Sequence, residues 1–236
     1  MSTAHATAQP SSRPKAPSAL DHASARTTGA FYLALAVAGG LGFLVVRPML
    51  ADADPLTTLT QLREREILAR TLIGLEMALV AFQVLAALWF FRLFRAVDAF
   101  AAGAIAVLGV LNAVAIMGSA AATATSLEAA LGTAGGDAGS PQLLLALSEH
   151  FWGVGNLFFG LWLVPMGVCV LRSGTMPRLL GRLLVVGGAG YVLSGFVTYL
   201  WPDASVVPEL LVVPATVGEV WILGYLLVRG AGRVSG

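Results

Sequence analysis

An all-α fold, a polytopic membrane bundle of six transmembrane helices, is what this chain predicts. Three observations carry that expectation. Six long apolar stretches alternate with short polar gaps; 57% of residues are hydrophobic and only 11% charged; and mean hydropathy is +0.82. A helix needs about 20 mostly apolar residues to cross a ~30 Å hydrocarbon layer. Backbone amides at that depth find no water, so the stretches must be helical. Strand-type alternation is absent, which argues against a membrane β-barrel.

The spans are read at residues 29–46, 69–91, 96–119, 151–171, 179–200 and 207–228. Residues 1–27, rich in Ser, Thr, Ala and Pro, are expected to form a disordered cytoplasmic tail. Residues 28–230 form the transmembrane domain and 231–236 a second short cytoplasmic tail. The first span is the shortest. Arg26, its apolar run and Ala51-Asp52-Ala53 loosely resemble a cleavable signal, but the run is long for one and Arg47-Pro48 interrupts it. A retained first helix is therefore expected. Asp54-Pro55 supplies an N-cap and a first-turn proline. From there LTTLTQLREREILAR is expected to run unbroken into the second span, with Glu66 and Arg70 spaced i,i+4. Ser140-Pro141 starts the fourth helix after the glycine-rich stretch 132–136; Gly174 closes it, and Pro177 opens the fifth. Pro165 and Pro214 fall inside spans four and six and are expected to bend them.

Basic residues set the orientation. Arg13, Lys15, Arg26, Arg92, Arg95, Arg172, Arg178, Arg182, Arg229 and Arg233 all fall on one side. The other side carries only Arg47, Arg63, Arg65 and Arg70, beside Asp52, Asp54, Glu64 and Glu66. Both termini are expected in the cytoplasm and the protein in the inner membrane. Arg178 and Arg182 are expected to snorkel to headgroups there.

Charged side chains at bilayer depth are costly, about 2.5–3.5 kcal/mol on insertion scales, and point first to function. Glu76 and Asn156 each lie sixteen residues before an Arg at the inner edge, Arg92 and Arg172. At 1.5 Å per residue that places them roughly 24 Å above it, and Glu219, ten residues before Arg229, about 15 Å above it. These depths suggest a polar pocket in the outer half: Glu219 as its floor, and Glu76, Asn112, His150 and Asn156 as its walls. Gln83 is a further polar residue inside a span, read, like each asparagine, as equally compatible with a helix-to-helix bond.

Other chemistries find little support. Net charge is +1, too small for a nucleic-acid footprint. The only Lys is Lys15, so no Schiff base forms within the spans. Of three His, His5 and His22 lie in the tail, which leaves His150 unable to build a bis-histidine haem or a multi-histidine zinc site. Cys169 is the single cysteine, so no internal disulfide exists. No nucleophile elbow or phosphate loop occurs. No cofactor, no metal and no enzymatic activity are expected.

The stretch NLFFGLWLVPMGVCVLRSGTMPRLLGRLLVVGGAGYVL, with Gly218-Glu219 in the last span, resembles a bacterial family of six-helix membrane proteins, domain of unknown function 4386. The likeness rests on Phe158, Phe159, Gly160, Ser173, Gly174, Pro177, Arg178, Leu180, Gly181, Gly188 and Tyr191, and extends over about residues 25–230. Two features depart from the family's pattern. Its GYL stands here as Gly167-Val168-Cys169, and Leu161-Trp162 replaces a small residue with His, which weakens any His-based mechanism. The resemblance implies fold and location and no activity.

The expectation is thus a non-catalytic small-ligand-binding or accessory membrane module in contact with the lipid bilayer. The alternative is a proton- or solute-coupled transporter that titrates Glu219 and Glu76, as a homodimer. Gly190 and Ser194 in the glycine-rich fifth span have the small-xxx-small spacing that serves bundle packing or such a homodimer.

Overall fold

The computed structural model describes residues 22–204 and 206–230. Helix α1 spans His22–Gly39, widens into a π-helical segment, Gly40–Val46, and tightens into a 3-10 turn, Arg47–Met49. The others are α2 (Pro55–Glu64), α3 (Glu66–Phe94), α4 (Ala99–Ala130), α5 (Ser140–Ser173), α6 (Arg178–Leu200) and α7 (Val206–Val228). All but α2 are long and apolar enough to cross a membrane. Only 22% to 44% of each apolar window is buried inside the chain, so most of it faces outward, as lipid solvation requires. This is a multi-pass membrane protein.

The long helices close a ring: α1 packs on α3, α3 on α4, α4 on α5, α5 on α6, α6 on α7, and α7 back on α1. The α1–α7 seam is the thinnest. Trp162, fully buried, sits at the centre and meets Tyr32, Phe90 and Phe159 at ring-centroid distances of 5.8 Å. One end of the ring carries α2; the other collects the exposed arginines Arg92, Arg95, Arg172, Arg178 and Arg182. The expected tails 1–27 and 231–236 lie mostly outside the described residues, but α1 begins at His22, inside the stretch read as tail.

Capping follows the sequence closely. The Asp54 carboxylate accepts the Thr57 amide, and the Asp98 carboxylate accepts that of Ala101. Gly174 ends α5 with φ 63°, a left-handed conformation that glycine adopts without cost. α5 starts at Ser140 with Pro141 in its first turn, and Pro165 and Pro214 lie inside α5 and α7.

One expectation needs correction. α2 does not run unbroken into the second span: Arg65, at φ −112° and ψ 39°, separates it from α3. The reason is tertiary. Arg65 donates to the Met49 carbonyl and Arg63 to that of Ala130, which draw α2 across the bundle end. There Leu62 packs with Leu50, Leu72, Leu127 and Leu145. α4 runs on to Ala130, past the span read at 96–119, and α5 starts at Ser140, as Ser140-Pro141 predicts.

The glycines of α6 serve close packing inside the bundle. A Cβ on Gly160 would stand 2.9 Å from the Gly188 carbonyl oxygen, and one on Gly188 would stand 2.7 Å from that of Gly160. On the opposite flank of α6, Gly187 and Gly190 press on the α7 backbone at Ala215 and Leu211. Gly195 faces open space.

Candidate functional site

Two polar assemblies lie within the ring. The first is an ion-paired cluster near the α2 end. Glu76, on α3, is 2% exposed, and its Oε1 accepts Arg47 Nη2 at 2.7 Å and Ser119 Oγ at 2.9 Å. Arg47 Nη2 also donates to Ser148 Oγ at 2.7 Å, and Thr123 bonds Ser148 at 2.8 Å. Arg47 is therefore not the solvated end-of-span residue its sequence position suggests. The 3-10 turn at Pro48 folds its side chain back into the bundle, where it is 7% exposed. Glu76 neutralises it, which is how a charge becomes tolerable at this depth.

The second assembly is a chamber of about 140 Å³. Gln83 from α3, Asn112 from α4 and Asn156 from α5 line it, with Trp152, Phe159 and Tyr191 as aromatic walls. Leu35 and Leu79 contribute apolar surface. Among the described residues, no charged side chain lines it. Gln83 is 1% exposed, and among the described residues its Nε2 has no hydrogen-bond partner. A buried amide N–H without an acceptor costs about 1–3 kcal/mol, so an occupant that accepts from it gains that amount. A larger space of about 520 Å³ adjoins the chamber, and the two share Gly39, Trp152, Asn156 and Tyr191. His150 and Glu149 stand at its rim, and His150 Nδ1 lies 3.3 Å from Tyr199 Oη.

Of the five residues expected to form one pocket, Asn112 and Asn156 share the chamber and His150 lines its antechamber. Glu76 does not line it. Its carboxylate is drawn to Arg47 behind Trp152, whose Nε1 donates to it at 3.3 Å. Glu219 is not the floor either. It sits on α7, half-buried, and accepts the Tyr32 hydroxyl across the α1–α7 seam. Depth counting set these residues as the walls and floor of one pocket, but helix rotation points them into separate clusters. Arg178 and Arg182 are exposed at the first turns of α6, where snorkelling was expected. Gln83, Arg47, Ser119 and Ser148 escaped the site reading. Ser119 and Thr123 sit i,i+4 on α4, and that shared face was the available signal. Among the described residues, no three of His, Cys, Asp and Glu gather as a metal site would require.

A family model, domain of unknown function 4386, matches residues 27–230. The chain belongs to that family. The match covers every helix of the ring and both polar assemblies. No curated protein and no solved structure matches the chain.

Proposed function

We propose that this member of the family is a non-catalytic membrane protein that binds a small ligand in the chamber of Gln83, Asn112 and Asn156. One observation carries the reading: the Gln83 amide is buried, unpaired and part of the wall of a cavity. Unoccupied cavities inside a packed bundle cost stability, and polar ones hold water or ligand. At about 30 Å³ per water in the liquid, the chamber has room for several waters or one compact polar group.

In this reading lipid surrounds the ring, the Arg-rich end faces the cytoplasm of an inner membrane, and both termini lie on that side. The titrating-pair alternative, transport through Glu219 and Glu76, has less support. Glu76 is held by Arg47, and Glu219 belongs to a different cluster with Tyr32. A homodimer through α6 would have to use what the bundle leaves open, the surface around Gly195.

Native mass spectrometry of protein extracted in mild detergent tests the binding reading. The wild type is expected to carry a noncovalent adduct of defined mass. Gln83→Leu combined with Asn112→Leu is expected to lose it while remaining folded by circular dichroism. Equal adduct occupancy in both proteins rejects the chamber as the binding site.

A further inference from the structure

The antechamber opens sideways. In the half of the ring near the Arg-rich end, α1 is sewn to α7: Gly29 abuts Leu226 and Leu227, and Tyr32 bonds Glu219. Beyond Tyr32 the helix leans the other way, onto α3, with Gly39 against Leu79, Gly42 against Leu72, and Arg47 bonded to Glu76. The π-helical widening begins where that lean is established. The opposite flank of α1 is left apart from α6, and this gap is the antechamber: Gly40, Phe43 and Leu44 on one side, Gly153, Tyr191 and Tyr199 on the other. These residues belong to apolar spans, so the opening lies at bilayer depth. Leu44 is 73% exposed at its edge. Beside it an apolar groove of about 290 Å³ runs along α5 and α6 over Leu157, Val192, Gly195 and Phe196. Groove and antechamber share Gly153 and Tyr199.

We infer that the ligand is a lipid-soluble amphiphile that enters between α1 and α6, seating a neutral, carbonyl-bearing headgroup in the chamber and its apolar chain in the groove. This rests on the binding reading above and names its ligand class. Neutrality follows from the lining: three carboxamides and no charge, with the nearby Glu76 already paired to Arg47. A charged head would be desolvated without a partner there. The carbonyl follows from the unpaired Gln83 Nε2–H, which needs an acceptor. Trp152, Phe159 and Tyr191 offer faces against which a planar or ester-bearing head packs. An isoprenoid-type quinone and a diacylglycerol share this chemistry.

The test uses the full chain in detergent micelles, titrated with a decyl-substituted benzoquinone, with dioctanoylglycerol, and with dioctanoyl phosphatidylglycerol as the anionic control. Native mass spectrometry reads occupancy. One neutral amphiphile is expected to bind saturably, one per chain, more tightly than the anionic lipid, and which of the two binds identifies the source of the head. Gly40→Trp fills the gap from a position where an added Cβ meets nothing within 4 Å, so the fold is spared. It is expected to weaken the amphiphile at least tenfold, and by more than it weakens the same headgroup without its chain. Gln83→Leu is expected to weaken both at least tenfold. Unchanged amphiphile binding in Gly40→Trp overturns the lateral route, and preference for the anionic lipid overturns the ligand class. In either case Gln83-dependent binding of the chain-free head leaves the chamber reading standing, whereas no Gln83-dependent occupant of any kind removes both.

Discussion

Glu76 and Arg47 are both more than nine-tenths buried, and a 2.7 Å bond joins them between α3 and the end of α1. The pair's worth is asymmetric. Replacing both charges with apolar side chains of similar volume is often neutral, whereas removing one strands the other in a low-dielectric interior at a cost of about 3–5 kcal/mol. Glu76→Ala should therefore lower unfolding stability by that order, measured by denaturant titration in detergent. Arg47→Met with Glu76→Leu should recover most of the loss. A single variant as stable as the wild type would show that solvent reaches Arg47. Ser119 and Ser148 accept from the same Nη2 and Thr123 bonds Ser148, while among the described residues Arg47 Nε and Glu76 Oε2 are buried without a partner.

At the scale of the helix, two junctions set the geometry of the ring. The α5–α6 crossing depends on Gly160 and Gly188, each of whose missing Cβ atoms would lie within 2.9 Å of the facing carbonyl oxygen. Gly160→Ala forces a methyl against the α6 backbone at Gly188 and Val192, an overpacking worth about 1–3 kcal/mol. Gly195→Ala, on the open face of α6, should change thermal stability little by comparison. The start of α4 depends on Asp98. Its carboxyl is held below the ordinary range first by the Ala101 amide and then by the Arg172 guanidinium from α5. A carboxyl whose folded value is depressed contributes stability above its unfolded value and loses it as pH falls through the folded one. Wild type and Asp98→Asn should thus differ in thermal midpoint at pH 7; the difference should begin to shrink as pH falls below about 4, near the unperturbed aspartate value, and vanish only below the depressed folded one. Parallel curves at both pH values would deny the carboxylate its role as cap and tether.

The whole molecule is a ring of unequal seams, tight from α3 round to α7 and thin between α7 and α1. Its surface is apolar along every span, and the exposed arginines Arg92, Arg95, Arg172, Arg178 and Arg182 gather at the end opposite α2. Cysteine labelling tests how that ring sits in the membrane. Cys169 is fully buried, so the native protein should resist maleimide until unfolded. In a Cys169→Ala background, Ala134→Cys should react with an impermeant maleimide on intact cells. Arg95→Cys should react only after permeabilisation. The reverse pattern would invert the orientation and place the chamber in the cytoplasmic leaflet.

Much of this was legible in the chain itself. Six spans, the α2 cap at Asp54, the start of α5 at Ser140 and its end at Gly174, the arginine asymmetry, and the depth of Asn156 follow from composition and spacing. Depth is one-dimensional, residue count times rise, so sequence determines it. What each polar side chain faces is a matter of rotation about the helix axis, and only packing decides that. In a soluble protein the apolar stripe betrays the buried face. Here lipid-facing and core-facing surfaces are both apolar, so the long helices carry little amphipathic contrast to read. Arg47 turning inward to Glu76, Gln83 joining the two asparagines, Glu219 pairing with Tyr32 outside the chamber, and α2 folding across the bundle end were therefore settled by the tertiary structure alone.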